Sequence, residues 1–280
     1  MGAGALMALG GFGGLERALA PKPQLWAKWQ AHDAAATATI DHGAWQQFLD
    51  AYVSTDAAGV ARVAYGRVGA SERARLQDYV RRLAATTITA LSRPEQNALW
   101  INLYNALTVD VVLAHYPVRS ILNIDTSPGL LADGPWDQKL IDMEGERVSL
   151  NDIEHRILRP IFTDNRIHFV VNCASVGCPN LARQAFTAAT VEAMMADAAR
   201  AFVNSPRGAR VDQGRLTISK IFEWYADDFG GGEDSVGAFI ESLADPPLAA
   251  ALATRRGGIK TAYDWDLNDD PPVSPARRSR

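Results

Sequence analysis

The stretch Arg166-Ile-His-Phe-Val-Val-Asn-Cys-Ala-Ser-Val-Gly-Cys-Pro-Asn-Leu181 brings a strand-and-loop pattern into a chain whose other long segments read as helices. Ile167 to Val171 is apolar, β-branched and bounded by polar residues, the pattern of a buried strand. The chain then breaks at Asn172 into small residues before Pro179. Both cysteines of the protein, Cys173 and Cys178, lie in this loop, with His168 just upstream. Reactive groups are often held where a rigid element hands over to a loop, so this is the first place to look for a site.

Working outward, Leu25 to Tyr52 reads as helical and aromatic, with Trp26, Trp29, Trp45, Phe48 and Tyr52 as core. Ser71 opens an amphipathic helix, and Arg93-Pro-Glu95 starts the longest apolar one, which reaches His115 before the stop at Pro117. Leu140 to Val148 is patterned as a hairpin turning at Glu144-Gly145, and Val211 to Ile218 as a second. Ser149-Leu-Asn-Asp152 matches a capping box and predicts a helix from about Leu150 to Leu158. Thr190 to Val203 follows as a helix, then short helices at Ile221–Tyr225 and Val236–Leu243, and a last strand at Gly258–Tyr263.

The expected fold class is therefore α+β, mainly helical with a small, largely antiparallel sheet built from strands after residue 139. The expected organisation is a leader over 1–20, a single domain over 21–268 whose part 21–116 is helical, and a disordered Pro/Ser/Arg tail over 269–280.

Composition fits this reading. At 280 residues and 48% hydrophobic, the chain can bury a substantial core. A net charge of -4 without a basic run offers no footprint for nucleic acid. No apolar run is long enough for a transmembrane segment. An uncharged small-residue run, Gly2 to Leu15, precedes Ala18-Leu-Ala20 and Pro21, which reads as a signal peptide lacking its basic start, since the first basic residue is Arg17. The expected location is periplasmic or secreted, with the cytoplasm as the alternative.

Six motifs stand in order: Leu99-Trp-Ile-Asn-Leu-Tyr-Asn-Ala-Leu107, Ser149-Leu-Asn-Asp-Ile-Glu-His155, His168-Phe169, Asn172-Cys-Ala-Ser-Val-Gly-Cys-Pro179, Ser219-Lys-Ile-Phe-Glu-Trp-Tyr-Ala-Asp-Asp-Phe229 and Tyr263-Asp-Trp-Asp-Leu-Asn268. Together they resemble domain-of-unknown-function family 547, found in bacteria and plants, over roughly Leu99 to Asn268. The resemblance implies that Asn102, Asn105, Glu154, His155, His168, Cys173 and Asp228 occupy the family's polar signature positions. It supplies no activity. Bacterial relatives often look exported, which agrees with the leader.

The residues themselves leave several roles open. Asn102 and Asn105 share a face of an apolar helix, where they either tie down buried backbone or orient an imidazole, as the third member of a Cys-His-Asn set does. Glu154 and His155 are adjacent on a helix and point about 100° apart. Strand alternation puts His168 opposite Cys173 unless the chain bulges at Asn172. Asp228 either orients a histidine or caps the glycine-rich turn after it.

The cysteines admit four readings: packed thiols, a Cys173–Cys178 disulfide, a nucleophile, or a zinc site, although C-x4-C is not the tight zinc knuckle. A reactive Cys178 would be the N-cap of a helix opening at Pro179. A reactive Cys173 would use Asn172 and the loop N–H groups as an oxyanion hole.

The motifs of phosphoryl transfer, dinucleotide binding, zincins and the hydrolase elbow do not occur, and no cofactor or metal is expected. Two functions follow. One is a thiol-dependent hydrolase or transferase, with Cys173 as nucleophile, His155 or His168 as base, and Asn102, Asn105, Glu154 or Asp228 orienting it. The other is a non-enzymatic binding or scaffold domain with a disulfide staple. The partner would be a small-molecule or peptide ligand, with the oligomeric state open.

Overall fold

The computed structural model describes residues 15–128 and 134–270. In chain order the regular elements are α1 (Leu15–Leu19), α2 (Gly43–Tyr52), β1 (Val53–Thr55), β2 (Ala61–Val63), α3 (Ala70–Ala84) and α4 (Arg93–His115). Next come β3 (Ile141–Met143), β4 (Glu146–Val148), α5 (Val191–Val203), β5 (Ala209–Asp212), β6 (Arg215–Ser219), α6 (Lys220–Trp224), α7 (Glu233–Leu243), α8 (Pro246–Ala253) and β7 (Lys260–Ala262). The fold class is α+β and mainly helical, with two antiparallel two-stranded sheets and one mixed sheet of order β5-β6-β7, in which β6 and β7 run parallel.

The described residues form two compact units, one of 21–199 with 264–270 and one of 15–20 with 200–263, where the sequence reads as one domain over 21–268. In the larger unit, α4 is buried on nearly all sides, which explains why it is apolar all round rather than striped. The aromatic stretch packs as core, with Trp29 edge-on to Trp100 at 5.2 Å and Trp45 stacked on Phe48 at 5.4 Å. Only Ala27–Gln30 (3-10) and Gly43–Tyr52 within that stretch are helical. In the smaller unit Phe222, Phe229 and Phe239 pack together beside the mixed sheet.

Local chemistry sets the turns. Glu144 and Gly145 have φ of 46° and 81°, and Gln213 and Gly214 have 51° and 78°. Two consecutive positive angles match the twist of the flanking strands, so both predicted hairpins form. The pair β1–β2 lies ahead of residue 139 and adds a ladder to the expected strands. Its turn is built by Asp56, whose carboxylate accepts the Ala58 and Val60 N–H groups.

Two segments depart from their sequence reading. Ile167–Val171 is no strand: Asn165–Phe169 is a 3-10 helix. Asp164 caps it by accepting the Arg166 N–H, and no strand lies alongside to form a ladder. The parity argument that set His168 opposite Cys173 therefore falls.

The capping box does form, since Ser149 Oγ accepts the Asp152 N–H at 3.2 Å while Asp152 Oδ2 accepts the Ser149 N–H at 2.9 Å. The helix that follows is a π-helix, Asp152–Phe162, not the α-helix expected to end at Leu158. Pro160 lies inside it, where an α-helix would drive the ring against the carbonyl of Arg156. The wider winding relieves that clash but leaves the His155 carbonyl without the N–H that Pro160 lacks. Gln24 N–H supplies it at 2.9 Å, and Trp26 N–H bonds the Arg156 carbonyl at 2.9 Å.

Residues 1–14 of the expected leader and 271–280 of the expected tail lie outside the described residues. Asp269 and Asp270 are described: Asp269 bridges Val63, and Asp270 N–H bonds the Val63 carbonyl. Arg17 of α1 pairs with Asp227 at 2.7 Å within the smaller unit. Among the described residues no helix is long and apolar enough to cross a membrane.

Candidate functional site

Cys173 and Cys178 are joined by a disulfide. Of the four readings for this pair, the bonded one holds, and in this state neither sulfur is a nucleophile. No helix opens at Pro179, since residues 179–189 form neither helix nor strand, so Cys178 is not an N-cap.

The loop is held from both sides. Asn172 spans it, with Oδ1 accepting the Ala174 N–H at 2.9 Å and Nδ2 donating to the Pro179 carbonyl at 2.7 Å. This supports Ala174 at φ 61°, a left-handed backbone that alanine seldom adopts. From the other side, residues 264–268 run along the loop as a strap. Val176 N–H bonds the Asp266 carbonyl, Gly177 N–H the Asp264 carbonyl, and Asn268 N–H the Ala174 carbonyl. Cys173 N–H points at Cys178 Sγ (3.0 Å), and Cys178 N–H bonds the Ser175 carbonyl. The N–H groups of residues 173, 174, 176, 177 and 178 are thus all engaged, and the oxyanion hole expected from them is not open.

Asn102 and Asn105 are buried on α4, and their amides go to backbone. Asn102 takes both polar groups of Phe186, donating to its carbonyl at 2.8 Å and accepting its N–H at 3.0 Å. Asn105 donates to the Val170 carbonyl at 2.9 Å and accepts the Asn172 N–H at 2.8 Å. Asn105 therefore fixes the chain as it enters the disulfide loop, the tie-down role rather than the imidazole-orienting one.

A separate polar centre is fully interior. Glu154, His155 and Arg159 project from the π-helix and His168 from the 3-10 helix, each 6% exposed or less. Glu154 Oε1 lies 3.6 Å from His168 Nδ1 and 4.0 Å from His155 Nδ1. Arg159 Nη1 is 3.0 Å from His155 Nδ1 and donates to the Pro21 carbonyl at 2.7 Å.

Burial alone would raise the Glu154 carboxyl. The electrostatic pull of His155, a hydrogen bond from His168 and the Arg159 guanidinium outweigh it and hold the group near 2. The structure thus brings together Glu154, His155 and His168, which sequence spacing left apart. Sequence reading missed Arg159, although a cation four residues after His155 is a helical-neighbour signal.

Asp228 belongs to the smaller unit, in the 3-10 turn Ala226–Phe229, where its N–H bonds the Tyr225 carbonyl. No group of histidine, cysteine and carboxylate side chains that could hold a metal ion occurs among the described residues.

Residues 88–203 match the model of a protein family described as a protein of unknown function, DUF547. That range takes in Asn102, Asn105, Glu154, His155, His168 and both cysteines, so the resemblance read from the motifs is shown over it. No curated protein and no solved structure matches the chain significantly.

Proposed function

We propose that this is a non-enzymatic binding or scaffold domain, working outside the reducing cytosol, in which the disulfide-stapled loop, buried apart from the half-buried Cys173 and Val176, holds fixed the surface around those two residues for a small-molecule or peptide ligand. The observation that carries the reading is the loop itself. Its sulfurs are bonded to each other, five of its N–H groups are engaged, and two asparagines, Asn105 and Asn172, and a strap hold its backbone. A surface fixed before the ligand arrives loses little conformational freedom on binding. Disulfides persist in oxidising compartments, which favours export to the periplasm or beyond. The buried Glu154–His155–His168 centre then ties the π-helix Asp152–Phe162 to the 3-10 helix Asn165–Phe169, with Asn102 and Asn105 as braces of the segment that follows.

The test is a thiol count on full-length protein purified without reductant. Alkylation under denaturing conditions should find no free thiol, and the Cys173→Ala/Cys178→Ala protein should stay folded. Closing so short a loop is worth about 2 kcal/mol in the chain-entropy account, so the staple is not needed for folding. One thiol that labels rapidly in the native protein near neutral pH would overturn the reading. It would restore the thiol-dependent hydrolase or transferase, with Cys173 as nucleophile and His155 or His168 as base.

A further inference from the structure

The two sulfurs of the staple are not equivalent. Cys178 is 3% exposed, whereas Cys173 is only half-buried and reaches the surface. The Cys173 N–H lies 3.0 Å from Cys178 Sγ, and the Ser175 hydroxyl lies 3.1 Å from Cys173 Sγ. A disulfide sulfur has no proton to give, so both contacts donate toward sulfur. When Cys173 is attacked, the sulfur that becomes negative is Cys178 Sγ, and the Cys173 N–H already faces it.

We propose that Cys173 is a site of reversible thiol–disulfide exchange, at which a small thiol forms a mixed disulfide while Cys178 leaves as the thiolate. The inference rests on the bonded pair of the proposed function and adds a reactivity to it. In the first step an external thiolate attacks Cys173 Sγ. The new S–S bond joins the thiol to Cys173, the Cys173–Cys178 bond breaks, and its electron pair goes to Cys178 Sγ. This step exchanges partners without net oxidation.

The Cys173 N–H stabilises the departing charge, as an N–H donor does for any thiolate. Attack in the opposite sense would need access to the buried Cys178. From the mixed disulfide two routes balance. Cys178 can attack Cys173 Sγ and expel the thiolate, restoring the staple. Alternatively a second thiolate takes the first thiol away as its disulfide, so that two thiols are oxidised and the protein pair is reduced.

Return is favoured because the bond is not what holds the loop. Asn172 and the 264–268 strap keep Cys178 in place while it is unbonded. The half-buried Cys173 would then act as a modification site whose resolving partner is already positioned.

Wild-type protein treated briefly with reduced glutathione under native conditions, then acid-quenched, alkylated and mapped, should carry the glutathionyl group on Cys173 and a free thiol on Cys178. In a second arm, Cys178→Ser protein exposed to glutathione disulfide should be modified on Cys173 at least roughly tenfold faster than Cys173→Ser protein is on Cys178. Adducts on Cys178, equal rates in the two variants, or a wild-type disulfide that opens only in denaturant would each overturn the inference. Free thiols before any reductant would instead remove the proposed function, so the two failures are distinguishable.

Discussion

Replacing Asn105 by alanine tests the packing that holds the disulfide loop. The side chain is 1% exposed and makes two bonds, to the Val170 carbonyl at 2.9 Å and from the Asn172 N–H at 2.8 Å. Alanine leaves both backbone groups buried, because the neighbouring segment offers no ladder to take them up. An unsatisfied buried group costs about 1–3 kcal/mol, so the pair is worth roughly 2–6 kcal/mol. Alanine recovers roughly 0.5 kcal/mol through its better helix propensity in α4. The net expectation is a loss of about 2–5 kcal/mol, or a melting point lower by roughly 5–15 °C.

Urea unfolding followed by circular dichroism reads the free energy, and native-state hydrogen exchange reads the Asn172 amide directly. Asn105→Asp should do no better. It keeps an acceptor for Asn172 but turns the donor toward Val170 into a second carboxylate oxygen and buries its charge. A variant within about 0.5 kcal/mol of the parent, with the Asn172 amide still protected, would refute the claim that this amide braces the loop.

Two further outcomes follow from buried charge. His42 is 5% exposed with Nδ1 2.7 Å from the Tyr79 hydroxyl, and burial, against the opposing pull of Asp41, lowers it from 6.5 to about 4. Above pH 6.5 it is neutral folded and unfolded. Between pH 6.5 and about 4 only the unfolded chain takes the proton, so stability should fall by up to about 3 kcal/mol as pH drops through that window. His42→Gln should flatten that part of a pH-dependent unfolding curve, and an unchanged slope would remove His42 as the cause.

Glu154→Gln should destabilise the protein by roughly 3–5 kcal/mol at neutral pH, since it strips the anion from two buried imidazoles and a guanidinium. With the carboxyl held near 2 against 4.5 unfolded, its contribution is present above pH 4.5 and lost as pH falls toward 2. Denaturation at pH 7 and pH 3 checks this, and equal stability of variant and parent at pH 7 would sink it.

How much of this was legible in the sequence depends on how local the signal was. The helix Arg93–His115, both hairpins and the capping box were readable, because Pro, Gly and the Ser149/Asp152 pair set backbone geometry within a few residues. Ile167–Val171 was misread because a β-branched run shows only that a segment is buried. Whether it forms a strand depends on a neighbour to pair with, and here Asn105 takes the Val170 carbonyl instead. The π-helix was illegible for a similar reason. Its widened turn is satisfied by Gln24 and Trp26, which lie far away in sequence. The disulfide was one of four chemistries compatible with the same spacing, and only the path of the loop brings the two sulfurs together.

The asparagines show why signature residues that look catalytic need not be. From Val170 to Thr190 the chain forms no helix or named strand, yet much of it is buried. Every buried N–H and carbonyl in such a segment needs a partner from elsewhere. An asparagine side chain carries the same donor and acceptor as a peptide unit, so Asn102, Asn105 and Asn172 supply what a neighbouring strand would have supplied. Their requirement is architectural. The same reasoning does not account for Glu154, His155, His168 and Arg159. Braces of backbone need no charge, and four buried ionisable groups are a costly way to join two helices. Chemistry in this domain is best sought at that centre and at the half-buried Cys173.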